Sequence, residues 1–479
     1  MIDPMKPYPE YKDSGLPWLG SIPQHWDCLP HRAIFEEIKE QGHVNEPLLS
    51  VTISRGIIRQ EDLLANSSKK DSSNLDKSKY KLVEPSDIAY NKMRAWQGAV
   101  GVSKYRGIVS PAYIVQRLRG ELRPVYFHYL FRTPGFAKEA ERWSYGITSD
   151  QWSLRPQHFK MIYSCVPPLD EQELIVGFLR ELDRQVRRFI RNRRRLIEVL
   201  NEQKQAIINR AVTRGLDPNA PLKPSGLDWL GDIPEHWELK SLRQLGRFTK
   251  GSGGSREDDV AEGVPCIRYG HLYMYFNFTV SAVRTYVSES RARDYARIKY
   301  GDILFTASGE DMSEIGKSVV NLIEEEVCCG GDVIILRPRI VAHSPFLGYA
   351  SDAWHARCQK ARLGRGTTIK HIYGDQLKKV CIAVPPKDEQ VAIAEHIWQA
   401  TSEATSLIDR AQREIDLIRE YRTRLIADVV TGKVDVRHLA PPPGGEDLEE
   451  MVEELEPLDG EPGELDEEFM DGEVSHADD

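Results

Sequence analysis

A histidine followed by a tryptophan closes a thirteen-residue stretch that the chain carries twice. Residues 14–26 read SGLPWLGSIPQHW and residues 225–237 read SGLDWLGDIPEHW, identical at ten of thirteen positions. Histidine is the commonest general acid–base group, so the repetition of His25 and His236 suggests a repeated reactive site. The motif supplies neither histidine with a nucleophile or a carboxylate partner, however, and we therefore predict a structural role for both.

Known catalytic motifs are incomplete or missing elsewhere. The segment GEDMSEIGKS at residues 309–318 ends like a phosphate-binding loop, but Gly309 stands seven residues before Gly316, where such a loop requires five. The Pro-Pro pairs lie in VPPL, VPPK and APPPG, which do not match the Asn/Asp-Pro-Pro-aromatic motif of adenine methyltransferases. No G-x-G-x-x-G follows a predicted strand, and no H-E-x-x-H occurs. The sequence therefore predicts no catalytic residues and no metal site.

The thirteen-residue stretch is one part of a longer repeat. VPPLDEQELIVGFL at residues 166–179 aligns with VPPKDEQVAIAEHI at residues 384–397. The prolines cannot continue a strand, and the acidic residues after them suit the first turn of a helix. We predict helices from Asp170 to Gly215 and from Asp388 to about Thr431.

Apolar side chains recur at alternating spacings of four and three along both predicted helices. This pattern indicates a coiled-coil seam, and the simplest partner of each helix is the other, packed antiparallel. Arg193 falls within the seam and needs an acidic neighbour, for which Glu414 is a candidate. The apolar seam residues are Ile175, Leu179, Leu182, Val186, Phe189, Leu196, Leu200, Ile393, Ile397, Leu407, Ile418 and Leu425.

Two blocks of low mutual similarity, residues 27–165 and 238–383, lie between the repeated elements. Their shared traces include SDIAY at 86–90 and GDILF at 301–305. Short β-rich runs alternate there with Gly- and Ser-rich turns, and strands are predicted at 88–90, 113–115, 302–306 and 333–336. The fold class that follows is α+β, with two pseudo-symmetric α/β domains joined by two long helices that form an antiparallel coiled coil.

We divide the chain at these elements. Residues 1–165 form the first predicted domain, and residues 166–215 form the first long helix. Residues 216–383 form the second domain with its N-terminal connector, and residues 384–440 form the second long helix and a C-terminal turn. Residues 441–479 form a tail whose composition predicts disorder.

The net charge of −9 conceals a basic body. From Glu446 to Asp479 there are 17 acidic residues and no Lys or Arg, and the rest of the chain carries +8. A basic body with an acidic tail favours a nucleic-acid partner. Seven cysteines without a C-x-x-C pair, no signal peptide and no apolar run of about 20 residues predict a cytoplasmic protein with reduced thiols and no membrane partner.

These residues resemble the specificity subunit of a type I restriction–modification system. The resemblance covers residues 1 to about 440 and rests on the doubled SGLxWLGxIPxHW stretch, the doubled VPPxxEQ helix start, the GDILF strand and the long helices. It implies that each variable block is a target recognition domain for one half of a bipartite DNA sequence, with the coiled coil setting the gap.

The resemblance also implies partners and a division of labour. Two methyltransferase subunits and restriction/translocase subunits would bind this chain and would hold S-adenosylmethionine, ATP and Mg²⁺. The chain itself would carry no cofactor. It would direct adenine methylation and restriction of double-stranded DNA, in phage defence, without catalysing either.

Candidates for contact with DNA follow from the donors and acceptors that bases present. Arg and Lys suit guanine, and Asn and Gln suit adenine, although each candidate could equally be a phosphate contact or an ordinary surface charge. Two domains held at a fixed separation would suit half-sites about 10 bp apart on one face of the duplex. The candidates are Lys92, Arg94, Trp96, Gln97 and Thr148 in the first block and Lys250, Arg256, Arg268, Tyr269, His271 and Thr367 in the second.

Two other classes of protein stay open. One is a nuclease or nucleic-acid-modifying enzyme with an unrecognised site, for which Glu310 and Asp311 beside Lys317 are candidates. The other is a scaffold protein that uses the coiled coil only for assembly. Seven arginines between residues 184 and 195 form a basic helical face, which would bind the DNA between half-sites, bind an acidic methyltransferase surface, or simply be solvated. The acidic tail has a further interpretation as a DNA-mimicking brake.

Overall fold

The chain divides into two compact units, and each unit contains one end of each long helix. The structure is a computed structural model that describes residues 5–65, 76–146, 152–254, 258–309, 315–340, 342–366 and 370–439. Unit 1 comprises residues 1–195 and 411–479, and unit 2 comprises residues 196–410. The boundaries between the units lie inside the long helices, and the five-part division made from the sequence stays a prediction.

Both long helices begin and end within one residue of the predicted positions. The first runs over Leu169–Arg214 and the second over Lys387–Val430, each with two acidic residues in its first turn. Negative charge there is stabilised by the positive end of the helix dipole. Glycines with positive φ follow each helix, Gly215 at 71° and Gly432 at 77°, a conformation that ends helices and that other residues adopt at a cost.

Unit 1 is built on a four-stranded antiparallel sheet. Its strands lie in the spatial order Phe35–Ile38, Tyr113–Leu118, Ile88–Asn91 and Val100–Val102. The other strands are Tyr11–Asp13, Ser21–Pro23, Asp27–Pro30, Leu49–Thr52, Gly56–Arg59, Lys81–Val83, Gly107–Val109 and Tyr163–Val166. The shorter helices are His31–Ile34, Gln60–Ala65, Pro124–Phe131, Pro134–Arg142 and Pro156–Phe159, with a 3-10 turn at Ala95–Gln97.

Unit 2 repeats this sheet and adds a strand to one edge. The order is Gly246–Lys250, Val333–Pro338, Ile303–Thr306, Ser318–Asn321 and Phe278–Val280, and only the last pair is parallel. A second five-stranded sheet has the order Asp259–Val260, Thr285–Val287, Val264–Ile267, Val327–Cys329 and Ala296–Ile298. Further strands are Leu222–Pro224, Asp232–Pro234, Glu238–Ser241, Ser308–Gly309, Lys370–His371 and Cys381–Val384. The shorter helices are Leu242–Leu245, Tyr269–Met274, Ser344–Asp352, Trp354–Leu363 and Gly374–Leu377, with a 3-10 turn at Arg291–Asp294.

The fragments SDIAY and GDILF occupy equivalent places in the two sheets. Asp87 accepts two hydrogen bonds from the Arg117 guanidinium, at 2.7 and 2.8 Å. In unit 2, Asp302 and Arg337 form the same pair, with contacts of 2.6 and 2.9 Å. Both aspartates are buried, so each pair ties two neighbouring strands of the central sheet together. The α+β class and the pseudo-symmetry of the two domains are therefore confirmed.

The core of unit 2 runs from its sheet to the helix ends that belong to it. Trp237, Phe305 and Phe346 are buried in one cluster with Ile208 of the first long helix and Ile393 of the second. Burial of apolar side chains contributes about 25 cal/mol for each Å² removed from water. The sheet of unit 2 is thus held to both helices by a single core.

The two long helices pack antiparallel, as predicted. In unit 1, Asp183 of the first helix accepts hydrogen bonds from Arg422 at 2.6 and 3.1 Å. Ten residues further along the first helix, Arg193 pairs with Glu414 at 2.7 Å, which confirms Glu414 as the partner of this seam arginine. The pairing moves up one helix as it moves down the other. In unit 2, Lys204 Nζ donates to Thr405 Oγ1 at 2.7 Å.

The buried stripe departs from strict four-three spacing near the middle of each helix. Leu196 is 37% exposed and Leu407 is 40% exposed, although the spacing places both in the seam. Phe189 and Ile418 are half-buried, whereas their neighbours Ile190 and Ile415 are buried. An α-helix repeats every 3.6 residues, so a heptad pattern drifts by about 20° per heptad. The remaining seam residues are buried: Ile175, Leu179, Leu182, Val186, Leu200, Ile393, Ile397 and Leu425.

Candidate nucleic-acid interface

Two motifs that lie far apart in the sequence meet in unit 1. The Glu171 carboxylate accepts hydrogen bonds from Tyr8 Oη at 2.5 Å, His25 Nε2 at 2.7 Å and Trp26 Nε1 at 3.1 Å. We call these four residues the clasp of unit 1. The repeated stretch itself gives His25 no carboxylate partner, and the structure supplies one from the helix-start motif 146 residues away. The structural role predicted for this histidine is consistent with the contact.

The central carboxylate of the unit 1 clasp is shielded from solvent, whereas the His25 side chain is 41% exposed. Trp26 and Tyr8 are buried, and the Glu171 side chain is 4% exposed. Burial and the hydrogen bond to Glu171 raise the pKa of the Tyr8 hydroxyl well above its usual value, so the hydroxyl stays protonated and donates. Through these three contacts Glu171 connects Tyr8 and the repeated stretch to the start of the first long helix, and the clasp therefore holds these parts of the fold together.

Unit 2 has a matching clasp with one donor fewer. Glu389 accepts hydrogen bonds from His236 Nε2 at 2.8 Å and Trp237 Nε1 at 3.1 Å. The glycine that ends a long helix closes each clasp: a Cβ on Gly215 would lie 3.2 Å from Trp237, and one on Gly432 would lie 3.0 Å from Trp26. Each unit thus joins the start of one long helix, the end of the other and the repeated stretch.

The glutamine of the helix-start motif makes the same two contacts in each unit. Gln172 Nε2 donates to Pro167 O at 2.8 Å, and its Oε1 accepts from Arg123 N at 2.9 Å. Gln390 repeats both contacts, with Pro385 O at 2.8 Å and His343 N at 2.9 Å. These contacts, which are the same in both units, attach a short helix to each long helix. The short helix follows Arg123 in unit 1 and His343 in unit 2.

In unit 1 the predicted DNA-contact residues lie together on the turn that follows the strand Ile88–Asn91. Arg94 Nη1 donates to Gln97 Oε1 at 3.1 Å, and Trp96 Nε1 donates to Met93 O at 3.0 Å. Lys92, Arg94, Trp96 and Gln97 are all partly exposed. The structure therefore presents cationic, amide and aromatic groups from one short segment, the groups that base edges and phosphates bind.

An aromatic neighbour of this turn escaped the sequence reasoning. The Trp152 ring packs edge-on against Trp96, with ring centroids 5.5 Å apart. Two tryptophans in contact, separated by more than fifty residues, leave no local sequence signal. Thr148, which was predicted beside them, lies outside the described residues. Contact of any of these side chains with DNA stays a prediction.

In unit 2 the predicted residues take different positions. Arg268 is paired with Asp259 and its side chain is only 11% exposed. His271 is buried, and its Nδ1 accepts from the Arg268 backbone N–H at 3.2 Å, which caps the helix Tyr269–Met274. Lys250 is exposed at the end of its strand. Arg256 and Thr367 lie outside the described residues. As they stand in the structure, Arg268 and His271 serve this helix, and base contact by either stays a prediction.

Tyr269 lines a cavity that was not predicted from the sequence. The cavity measures about 530 Å³ and lies in unit 2 between the long helix and the sheet. Tyrosine rings, amides and cations combine on its walls, which suits stacking with bases and binding of phosphates. Its lining residues are Asn201, Lys204, Gln205, Tyr269, Tyr273, Asn277, Phe278, Gly309, Lys317 and Arg357.

The polar groups of this cavity are held in place by the surrounding structure. The Tyr269 and Tyr273 rings lie 5.2 Å apart, and both hydroxyls donate to Ser308 O, at 2.5 and 2.6 Å. Lys317 Nζ donates to Tyr273 O at 3.1 Å. Burial lowers the pKa of Lys204. The cavity could not be predicted from the sequence, because its lining residues come from the first long helix and four other segments of the chain.

A buried network positions Lys317. Lys360 is fully buried, and its Nζ donates to Gly316 O at 2.6 Å and Ser318 Oγ at 3.1 Å, on either side of Lys317. Asp352 lies 3.3 Å from the same ammonium and also accepts from Arg357 at 2.6 Å. Burial lowers the pKa of Lys360 to about 8. The network fixes the backbone on both sides of a residue that lines the cavity.

The groups proposed for an enzymatic site are only partly visible. Glu310 and Asp311 lie outside the described residues, whereas Lys317 lies in the cavity. Within the described ranges, no group of three or more His, Cys, Asp or Glu side chains could hold a metal ion. No helix in the described part of the chain is long and apolar enough to cross a bilayer.

Comparison with known proteins gives consistent matches. Residues 234–416 match the family model of the type I restriction modification DNA specificity domain. The chain is 23% identical over 452 residues to a candidate MjaX type I restriction enzyme specificity subunit of Methanocaldococcus jannaschii, covering 88% of this chain and 96% of the relative. It is 25% identical over 289 residues to the MjaVIII specificity subunit of the same organism, covering 59% and 64%.

A solved structure shares the fold. The chain aligns with a protein from a study of complex assembly and conformational transition in the type I restriction–modification system, with a TM-score of 0.58 and 16% identity. The alignment covers 85% of this chain and 98% of the other. The observed architecture of sheets and long helices is therefore one that a solved protein also adopts.

Proposed function

We propose that this chain, which belongs to the type I restriction–modification specificity family, is the DNA sequence-recognition subunit of a type I restriction–modification complex. It binds a bipartite DNA target, with one half-site for unit 1 and the other for unit 2. It directs adenine methylation and restriction that partner subunits perform. The main support for this proposal is that the two units share a framework but expose different side chains at their candidate binding surfaces.

The shared framework consists of the central sheet, the Asp–Arg pair and the clasp. The exposed side chains differ. Unit 1 presents Lys92 and Gln97 on a turn next to two tryptophans. Unit 2 instead presents a tyrosine-lined cavity beside its long helix. The two units share a fold but expose different side chains. This difference favours binding of two different half-sites over binding of the same ligand by both units.

The partners and the division of chemistry follow from the family. Two methyltransferase subunits and restriction/translocase subunits bind this chain, and they hold S-adenosylmethionine, ATP and Mg²⁺. The chain contributes recognition and no catalytic step, and it acts in the cytoplasm. Each clasp histidine contacts a carboxylate at the start of a long helix, which supports a structural role for both histidines.

A methylation map tests the proposal. The chain is co-expressed with its methyltransferase subunit in a host without adenine methylation, and N6-methyladenine is located by single-molecule sequencing. We expect one bipartite motif with a fixed gap. Methylation without a bipartite motif, or no methylation from an assembled complex, would contradict the proposal.

Paired variants test which unit reads which half. Lys92→Ala with Gln97→Ala alters unit 1, and Gln205→Ala with Asn277→Ala alters unit 2. Each pair is expected to relax base preference in one half-site only, by roughly 5- to 150-fold for each lost base contact. Relaxation of both half-sites by either pair would show that the units do not read separately.

An insertion tests whether the helices set the gap. Four residues inserted after Val199 lengthen the first long helix by about 6 Å and turn its continuation by roughly 40°. The methylated motif is expected to keep both half-sites and change its spacer. An unchanged spacer would show that the gap is set elsewhere.

The rival functions predict other results. A nuclease would cleave DNA when the purified chain is incubated with Mg²⁺ alone, and Glu310→Ala would abolish the cleavage. A scaffold protein would assemble the partner subunits without giving the complex any sequence preference. Either result would replace sequence recognition as the function of this chain.

A further inference from the structure

One face of the first long helix carries a continuous row of arginines within unit 1. Successive residues of an α-helix are rotated by about 100°, which places these side chains on an arc of roughly 120°. The row extends about 22 Å along the helix axis. We call it the arginine stripe; its members are Arg180, Arg184, Arg187, Arg188, Arg191, Arg194 and Arg195.

Three of the seven arginines in the stripe have no carboxylate partner among the described residues. Arg184 pairs with Glu181 at 2.5 Å. Arg188, Arg191 and Arg194, in contrast, have no carboxylate within 4.0 Å among the residues that the structure describes. Arg188 and Arg191 are exposed, and Arg194 is partly exposed. Like charges at such short spacing repel one another, so this surface favours a polyanionic occupant.

The stripe does not belong to the repeated framework. In the second long helix, the positions equivalent to Arg184, Arg188 and Arg191 are Ser402, Ser406 and Asp409. The packing of the helices therefore does not require these three arginines, because the other copy of the same fold has serine or aspartate in their places. Their occupant must be specific to unit 1.

The chain contains a polyanion that is attached to unit 1. The segment 441–479 includes all 17 acidic residues counted from Glu446 onward and no Lys or Arg. The residues just before it are anchored at the clasp, where the Arg437 guanidinium lies 5.0 Å from the centre of the Tyr8 ring and Tyr8 donates to Glu171. Arg437, four residues before the acidic segment, consequently lies near the first turn of the helix that carries the stripe.

The geometry allows the acidic segment to reach every arginine of the stripe. Arg180 lies about 13 Å beyond Glu171 along the helix and Arg195 about 36 Å beyond it. A 39-residue segment spans at most about 130 Å when extended, and roughly 34 Å as a random coil. Attachment to the same unit gives the segment an effective concentration on the order of millimolar at the stripe.

We propose that the acidic segment 441–479 docks on the arginine stripe of the same chain and excludes other polyanions from it. Carboxylates form paired, charge-assisted hydrogen bonds with guanidinium groups, and these contacts weaken as salt screens them. Three properties of the segment support it as the partner of the stripe: its negative charge, its length and its attachment to the same unit. The proposal is independent of the function proposed above, since it concerns only how this chain covers its own charge.

Binding of the separated segment is the direct test. A chain ending at residue 440 is titrated with a fluorescent peptide of residues 441–479 at 50 and 200 mM salt. We expect binding that weakens by about tenfold or more between the two salt concentrations. Arg188→Gln, Arg191→Gln and Arg194→Gln together should weaken binding at 50 mM at least tenfold.

A matched control separates the stripe from general charge. The variant Arg32→Gln, Arg119→Gln and Arg155→Gln removes three exposed arginines of unit 1 that lie outside both long helices. It should bind the peptide as the unmodified chain does. Equal weakening in both triple variants, or no peptide binding at all, would overturn the proposal.

The intact chain provides the second readout. Removal of residues 441–479 should increase affinity for non-target duplex DNA about tenfold at 50 mM salt, and this increase should vanish when the stripe arginines are replaced. An increase that persists in the stripe variant would show general repulsion by the segment instead of docking. Loss of methyltransferase-subunit binding in the stripe variant, with peptide binding unaffected, would assign the surface to that partner and also overturn the proposal.

Discussion

Each clasp joins the end of one long helix to a copy of the repeated stretch, but the two units make this junction differently. In unit 2 the chain runs covalently from the end of the first long helix at Gly215 to the repeated stretch. In unit 1 the corresponding junction is made by contacts: Asp435 N donates to Lys6 O at 2.8 Å, and Tyr11 Oη donates to Lys433 O at 3.1 Å. Tyr8 then adds a third donor to Glu171, whereas Glu389 has two donors among the described residues of unit 2. A junction without a peptide bond must be closed against chain entropy by additional contacts.

Removing the central carboxylate is the strongest way to break this comparison. Glu171→Ala leaves three donors without their acceptor in a site that is 4% exposed, and we expect a loss of about 4 kcal/mol in the free energy of unfolding. Glu389→Ala leaves two donors, and its site is 29% exposed, so solvent screens it and the loss should be about 1 kcal/mol.

Chemical denaturation monitored by hydrogen exchange of the first turn of each long helix measures both losses. Glu171→Gln serves as a control, because the amide retains one acceptor oxygen and should cost less than alanine. Equal losses for Glu171→Ala and Glu389→Ala would show that the non-covalent junction adds nothing.

The glycines that end the long helices sharpen the comparison next. A Cβ at Gly432 would lie 2.3 Å from Pro23 Cδ, whereas one at Gly215 would lie no closer than 3.1 Å to its neighbours. Both residues have positive φ, which costs alanine roughly 1 kcal/mol. Gly432→Ala should therefore destabilise unit 1 by about 3 kcal/mol and Gly215→Ala should destabilise unit 2 by about half as much. Thermal denaturation of the two variants ranks them, and the reverse order would exclude tighter packing at the clasp of unit 1.

Acid should distinguish the units as well. His31 in unit 1 is fully buried and lies 2.8 Å from Ser164 Oγ, whereas the equivalent residues of unit 2 are Leu242 and Ile382. Burial lowers the pKa of His31 to about 3. Below pH 6.5 the unfolded chain binds a proton that the folded chain does not, so stability falls as the pH falls. The loss from this residue should reach about 2 kcal/mol at pH 5.

Replacing the pair by its counterpart tests the acid effect. His31→Leu with Ser164→Ile should remove that loss between pH 6.5 and 5, as measured by urea denaturation at both pH values. Burial also lowers the pKa values of His128 and His355. Both residues are present in the variant and in the unmodified chain, so their contribution cancels in the comparison. An unchanged pH dependence would show that His31 is not the source of the acid sensitivity.

The sequence predicted the framework because its signals are local. Two prolines followed by acids start each long helix, and a glycine with positive φ ends it, so the helix bounds were correct to one residue. The apolar runs at residues 88–90 and 333–336 became buried strands of the central sheets. Comparison of the two halves also identified SDIAY and GDILF as equivalents.

The contacts of the candidate interface could not be predicted in the same way. Glu171 and His25 are 146 residues apart, and no local pattern links them. The cavity of unit 2 combines Asn201, Tyr269 and Lys317 from segments that only the folded chain brings together. Residue type alone also could not show that Arg268 pairs with Asp259 or that His271 caps a helix, because both contacts depend on the folded chain.

The smallest expected effect tests whether the two sheets tolerate the same turn. Ser86 has φ 76° and Gly301 has φ 83°, and each precedes the buried aspartate of its sheet. The backbone contacts match, because Ser86 N donates to Ser103 O at 2.8 Å and Gly301 N donates to Asn321 O at 2.7 Å. Serine is strained in this conformation and glycine is not, so Ser86→Gly should stabilise unit 1 by about 0.5 kcal/mol.

The reverse substitution should act in the opposite direction and more strongly. Gly301→Ser introduces the strain, and its Cβ would lie 2.8 Å from Ser344 Oγ, so unit 2 should lose about 1 kcal/mol. Urea denaturation of both variants gives the two signs. If Ser86→Gly destabilised unit 1, the serine side chain would have a local role that its glycine counterpart cannot have, and the equivalence of the two turns would be limited to the backbone.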